Sequence, residues 1–394
     1  MPFSYSIYKK LRIFVGISCC FVAIPGYTAL AKMKQMPGFV TASSFLPKAY
    51  SLPGAGRSLR ITYLSTNGVT GQGLVPVTAE VILPAGKAPA GGWPIVAWAH
   101  GTVGVSNNCA PSRNPWSERN SRYLSEWMKR GFAIVATDYQ GFGTPLPHPY
   151  LNTRAEAYGL LDAVRAAISS AAPLENKIMI VGQSQGGGAA FASAAFAPEY
   201  APELNIRGIV ATGTPYMTPE LLKQITKPSD NMAYNPMVVY SFYLAQGFAG
   251  YHPSFKPSEI FTARAMPAYH AAAKICVGPL AAKVKKEGLT FDNSLKPDFS
   301  EKIAPALAAM QYPTMKLKYP LFTGTGELDK DVPPALQLAL VKAACAAGTT
   351  VEAHLYKGLD HSQTVNASLP DSAVFTNAVM SGKTIASQCE AVPQ

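Results

Sequence analysis

A pentapeptide of the form Gly-x-Ser-x-Gly, Gly182-Gln183-Ser184-Gln185-Gly186, stands between the apolar run 177–181 and a Gly/Ala-rich helical stretch, 186–196. No other feature of the chain constrains its fold so tightly. A serine on so sharp a strand-to-helix turn needs near-absent side chains on both flanks, because the two backbones pass very close. Gly187, Gly188, Ala189 and Ala190 then let the helix pack tightly on a sheet. Ser184 is presented at a helix N-terminus, where the dipole and free N–H groups favour developing negative charge.

The remaining chain fits around that junction. Short Val/Ile/Ala-rich runs predict strands at 59–64, 78–83, 95–99, 132–137, 177–181, 208–212, 320–325 and 350–356. Helical patterns fall at 117–129, 154–170, 186–196, 334–346 and about 371–380. Such alternation predicts an α/β fold, a mostly parallel central sheet flanked by helices on both faces. The first two strands, joined through Gly/Pro-containing turns, are expected to open it antiparallel. Residues 215–318 break the pattern: they show no strand–helix alternation and are rich in aromatics and prolines. A loop of that length does not fit a compact domain, so the segment is expected to be an inserted, mainly helical cap or lid. The core then divides into 32–214 and 319–394.

Lys9, Lys10 and Arg12 precede an apolar stretch at 13–24, Pro25-Gly26 break it, and Ala29-Leu30-Ala31 supplies the small residues a signal peptidase reads. This predicts a secretory signal peptide over residues 1–31. The apolar stretch falls short of the roughly 20 residues of a spanning helix, which disfavours an uncleaved anchor. The expected product is secreted or periplasmic, with no integral membrane span. The formal charge is +11, from 34 Lys and Arg against 23 Asp and Glu, yet the densest basic run is only Lys283 to Lys286. A dispersed basic surface argues against a nucleic-acid partner. Cys109, Cys276, Cys345 and Cys389 remain after the leader, an even count that predicts two disulfides among three possible pairings.

A serine near neutral pH needs a base, and the base needs an orienting acid. Gly326-Glu327-Leu328-Asp329 follows the strand 320–325, and His361 follows the strand ending at Tyr356. Both loops leave the sheet edge that carries Ser184, and the order Ser, acid, His is that of a doubly wound hydrolase. Asp329 is the expected acid. Its rival Asp331 falls near the N-cap of the next helix and is read as a cap; Glu327 is a third candidate. Asp360 is read as a turn residue, His354, His252 and His270 as structural, His100 as a turn stabiliser, and His148 as a possible pocket residue. Thr102, after the strand 95–99, and Gln185 are the expected oxyanion donors through their backbone N–H groups. The four cysteines form no C-x-x-C pair, and there is no His-x-x-x-His pair or carboxylate cluster, so neither a metal nor a cofactor is expected.

The segments Ala97-Trp98-Ala99-His100-Gly101-Thr102, Cys109-Ala110-Pro111-Ser112, Thr137-Asp138-Tyr139-Gln140-Gly141-Phe142-Gly143, Gly182 to Gly186 and Gly358 to Ser362 together resemble the α/β-hydrolase superfamily and, within it, the secretory lipase family. The resemblance runs over most of 45–390. It implies a triad of Ser184, Asp329 and His361, a helical cap after the sixth strand, hydrolysis of carboxylic esters, and the pairings Cys109 with Cys276 and Cys345 with Cys389. The expected function is that of a secreted serine lipase or esterase acting on acyl esters, and the basic cap fits an anionic lipid interface. The alternatives are an exopeptidase or acyltransferase on the same fold, or a binding protein that has kept it. The cap lacks the acidic doublet an exopeptidase would use for a substrate amine, and no triad member is missing.

Overall fold

The computed structural model describes residues 36–170, 172–218, 220–222 and 234–393. The signal peptide expected over residues 1–31 lies outside them.

Among the described residues, ten strands form one sheet: β1 Val40–Phe45, β2 Ala55–Thr66, β3 Leu74–Pro84, β4 Trp93–Ala99, β5 Ala133–Thr137, β6 Leu174–Gln183, β7 Ile206–Thr212, β8 Leu321–Gly326, β9 Val351–Tyr356 and β10 Gln388–Pro393. Their order is β1-β2-β3-β5-β4-β6-β7-β8-β9-β10. The β1–β2, β2–β3 and β3–β5 pairs are antiparallel, and every pair from β5–β4 to β9–β10 is parallel. All eight expected strands lie here. The central ones, such as Ala133-Ile134-Val135-Ala136-Thr137, are buried on both faces and so read as unbroken apolar runs.

β1 and β10 were not anticipated. β1 exposes five of its six residues, and β10 reads Gln-Cys-Glu-Ala-Val-Pro. Edge strands with one free side need no apolar alternation, so periodicity cannot find them. β10 is tied to the helix Pro334–Ala346 by the disulfide Cys345–Cys389.

Helices cover both faces. α1 Glu118–Lys129 starts where the Ser117 side chain accepts the Asn120 N–H, and it buries Tyr123, Leu124, Trp127 and Met128 on one stripe. It packs with Phe375 and Val379 over one face of the sheet. α2 Thr153–Ser169, capped by Asn152, and α3 Gln185–Tyr200 lie over the other face, where buried alanines of both join the core. Between β7 and β8 come α4 Met237–Ala249, α5 Met266–Ala272, α6 Val277–Lys286, α7 Phe291–Ser294, α8 Phe299–Lys302 and α9 Ala304–Ala308. They enclose a separate apolar core that includes Phe242, Tyr243, Phe261 and Leu280. The disulfide Cys109–Cys276 fastens the start of α6 to the chain beyond β4. α10 Pro334–Ala346, α11 Gln363–Ala367 and α12 Leu369–Met380 complete the fold. Among the described residues no helix is long and apolar enough to cross a membrane.

Candidate active site

β4, β6, β8 and β9 end at the same edge of the sheet, and the loops after them carry Thr102, Ser184, Asp329 and His361. Ser184 sits between β6 and α3 at φ 60°, ψ −125°. An L-residue there costs on the order of 1–3 kcal/mol, so the surroundings must over-determine it. They do: its N–H donates to Thr212 O at 2.9 Å. A Cβ on Gly182 would collide with the Gly186 carbonyl, and one on Gly186 with the Ala99 carbonyl. Both glycines of the pentapeptide are therefore sterically required.

Asp329 is buried and its carboxylate accepts four N–H groups. Oδ2 takes His361 Nδ1–H at 2.6 Å and Gln337 Nε2–H at 2.8 Å; Oδ1 takes the backbone N–H of Asp331 at 2.9 Å and of Val332 at 2.8 Å. Asp331 does not cap α10, whose first turn has no side-chain cap. Its carboxylate instead accepts the Tyr240 hydroxyl and faces the cavity beside Ser184. Pro333 and Pro334 leave few N–H groups there to cap, which removes the reason for one. Glu327 turns away to accept the Gly358 N–H at 2.8 Å. Asp360 accepts the N–H groups of Ser362 and Gln363, as a turn residue does. His354 stacks on Phe322 and His252 on Phe248. His100 binds the Gly101 carbonyl at 2.8 Å, and burial pushes its pKa down.

Ser184 and His361 line one cavity, but among the described residues Ser184 Oγ has no hydrogen bond to the imidazole. With Nδ1–H donated to Asp329, His361 Nε2 is an acceptor, and it receives the Gln183 amide N–H at 2.8 Å. Gln183 Oε1 accepts from Arg119 Nη2 at 3.1 Å. The guanidinium also reaches Ser362 Oγ and Asn120 Oδ1, both at 3.1 Å, and burial lowers its pKa against the pull of Tyr240, Asp331 and Asp360. The donor chain Arg119 to Gln183 to His361 to Asp329 fixes the orientation of every member. The sequence reading missed Gln183 and Arg119. Gln183 was in plain view as the residue before the serine, whereas Arg119, on α1, carries no local signal.

The Thr102 and Gln185 N–H groups have no acceptor among the described residues. Gln185 is the first residue of α3, where N–H groups lack intrahelical partners. Two spaces meet at Ser184. One, of about 370 Å³, is the more polar of the two, lined by Arg119, Asn120, Gln183, His361 and Ser362 beside apolar Val103, Trp116 and Val277. The other, about 60 Å³, is apolar and lined by Leu151, Met217, Met237, Tyr240, Met310 and Leu336; Leu151, Met217, Met237, Tyr240 and Met310 also line a further space of about 70 Å³. Of the aromatics between Tyr240 and Phe255, Tyr240 reaches the Ser184 cavity, while Phe242 and Tyr243 are core. A larger surface cavity of about 670 Å³ beside Trp93 and Arg122 includes neither Ser184 nor His361. His148 does not line the Ser184 cavities; it is buried beneath them, hydrogen-bonded to the Gln140 carbonyl and the Gln185 side chain.

The comparisons agree with this architecture. Lipase A of Candida antarctica in its closed state superposes with a TM-score of 0.69 at 20% identity, over 91% of this chain and 86% of that one. The rice cell wall degrading esterase LipA of Xanthomonas oryzae gives 0.67 at 17% identity, over 88% of this chain and 100% of that one. A lipase A of Moesziomyces aphidis is 33% identical over 89 residues, which span 22% of this chain and only 18% of that protein. The secretory lipase family profile matches residues 118–387, well over half of the sequence. The chain belongs to the secretory lipase family.

Proposed function

We propose that the chain is an exported serine carboxylic-ester hydrolase of the lipase and esterase type, using Ser184, His361 and Asp329. The observation that carries the reading is the juxtaposition of a strained serine at a helix N-terminus with a buried Asp329–His361 pair at 2.6 Å on one sheet edge. Ser184 Oγ attacks the ester carbonyl while His361 Nε2 exchanges its Gln183 partner for the serine hydroxyl and takes the proton. Asp329 stabilises the imidazolium, and the unpartnered N–H groups of Thr102 and Gln185 receive the oxyanion. His361 returns the proton to the leaving alcohol, and water then releases the acyl-enzyme.

Since His361 lines the larger, more polar space and not the smaller apolar one, the alcohol leaves through the former and the acyl chain lies among the methionines. Residues 215–318 act as the cap that supplies this apolar lining, and their lysines favour an anionic interface. The two disulfides fit an oxidising compartment and hence export through the leader at 1–31.

The test is hydrolysis of p-nitrophenyl esters from acetyl to palmitoyl by wild type and Ser184→Ala. Hydrolysis by wild type alone supports the assignment, and the chain-length profile reads the apolar space. A Ser184→Ala protein that stays active removes it, and activity on amides but not esters moves the chain to the exopeptidase reading.

A further inference from the structure

Beneath the nucleophile turn lies a buried acid for which the proposed chemistry has no use so far. Glu156, in the first turn of α2, is 1% exposed, and no ion pair to it occurs among the described residues. Its Oε1 accepts two N–H groups, Gln185 Nε2 at 2.8 Å and the backbone N–H of Leu151 at 3.1 Å. The first contact holds the residue that follows the nucleophile. The second Gln185 amide proton goes to His148 Nε2 at 3.2 Å, and His148 in turn donates Nδ1–H to the Gln140 carbonyl at 2.8 Å, so both Gln185 amide protons are engaged while its buried Oε1 has no partner among the described residues. The second contact holds Leu151 at φ 60°, a conformation an L-residue keeps only under constraint. Leu151 follows Tyr150, whose hydroxyl lies 2.6 Å from Thr102 Oγ1. One carboxyl oxygen thereby reaches both residues whose N–H groups face the oxyanion.

We propose that Glu156 is a positioning residue that sets the oxyanion hole, Gln185 directly and Thr102 through Leu151 and Tyr150, and that it does so as the neutral acid. The proposal rests on the reading of Thr102 and Gln185 as oxyanion donors. A carboxylate at this depth would oppose the charge that develops on the substrate oxygen, whereas a neutral acid holds the donors without that penalty. Burial pushes the Glu156 carboxyl up to about 8, with the Gln185 and Leu151 hydrogen bonds pulling against it. The histidines and tyrosines around it are pushed towards their neutral forms. Burial lowers His148 to about 3 and also lowers His100. Tyr139, Tyr150 and Tyr312 are all raised by burial, Glu156 adding to each.

The experiment compares kcat and KM for p-nitrophenyl butyrate from pH 6 to 10 in wild type, Glu156→Gln, Glu156→Leu and Tyr150→Phe, with Ser184→Ala as the control. Glu156→Gln keeps the size and an acceptor oxygen but cannot ionise. Its kcat near neutrality should stay close to wild type, and it should lack the fall in kcat that wild type shows as pH rises through about 8. Glu156→Leu, or Tyr150→Phe should the former not fold, should lose roughly tenfold or more in kcat with KM little changed. Identical alkaline limbs in wild type and Glu156→Gln, or losses confined to KM, overturn the proposal. An active Ser184→Ala, or a wild type silent on every ester, overturns instead the hydrolase reading beneath it.

Discussion

Replacing Asp329 by asparagine changes one atom and should cost nearly all of the catalytic rate. Four N–H groups converge on the carboxylate, two on each oxygen. With the amide NH₂ at the Oδ1 position, two backbone donors would face it, at roughly 1–3 kcal/mol each. With the NH₂ at the Oδ2 position, only side chains object. Gln337 can adjust, giving up its 2.7 Å bond to the Val332 carbonyl, and His361 can present its Nδ1 lone pair by moving its proton to Nε2. The second arrangement is cheaper, so it wins. It leaves His361 with a proton where Ser184 needs an acceptor, and it sets that proton against the Gln183 amide, which must flip and break with Arg119. We expect kcat on p-nitrophenyl butyrate to fall by about 10³–10⁴-fold, or about 4–5.5 kcal/mol, in a protein that still folds. Asp331→Asn can still accept the Tyr240 hydroxyl and should keep kcat within about threefold. An Asp329→Asn enzyme within tenfold of wild type, beside an inactive Asp331→Asn, would refute the reasoning and hand the acid role to Asp331.

Four further outcomes are expected. Loss of the Cys109–Cys276 bridge, which closes a separation of 167 residues, should destabilise the fold by up to about 5 kcal/mol on a chain-entropy basis, measured as denaturant midpoints of the Cys109→Ala/Cys276→Ala protein. Met310→Trp should fill the apolar space and move the ester optimum toward shorter acyl chains; an unchanged profile would place the acyl group elsewhere. Glu156 is raised in the folded state, so its contribution to stability is complete below the unfolded value near 4.3 and is lost as pH rises through about 8, on the order of 5 kcal/mol at most, whereas Glu156→Gln should flatten urea midpoints over that window. Binding to vesicles should rise with their anionic lipid content and fall with salt if the lysines of α6 meet the interface, and indifference to both would discard that idea.

What could be read along the chain was whatever depends on neighbours in sequence. The two glycines around Ser184 are dictated by a turn only a few residues long, and the central strands are apolar because both faces are covered; both signals are local. Asp329 and His361 were placed by the order of strands, which also follows from the chain. The same logic failed at Asp331, where proximity to a helix start suggested a cap but a tyrosine brought from α4 claimed the carboxylate. Arg119 and Glu156 lay beyond that kind of reading altogether. Each looks like an ordinary charged residue early in an amphipathic helix, the expected place for a solvated side chain. The fold turns those helices so that Arg119 meets Gln183, the neighbour of Ser184, and Glu156 lies under the helix that Ser184 begins. A buried ionisable group needs partners that burial itself supplies, and here they include the turn and helix start around Ser184, the loop after β9 and the chain just before α2. If Ser184 and His361 act as proposed, substitutions at Glu156 and Gln183 test how the surrounding fold sets their donors and orientation, which substitutions at Ser184 or His361 themselves cannot separate.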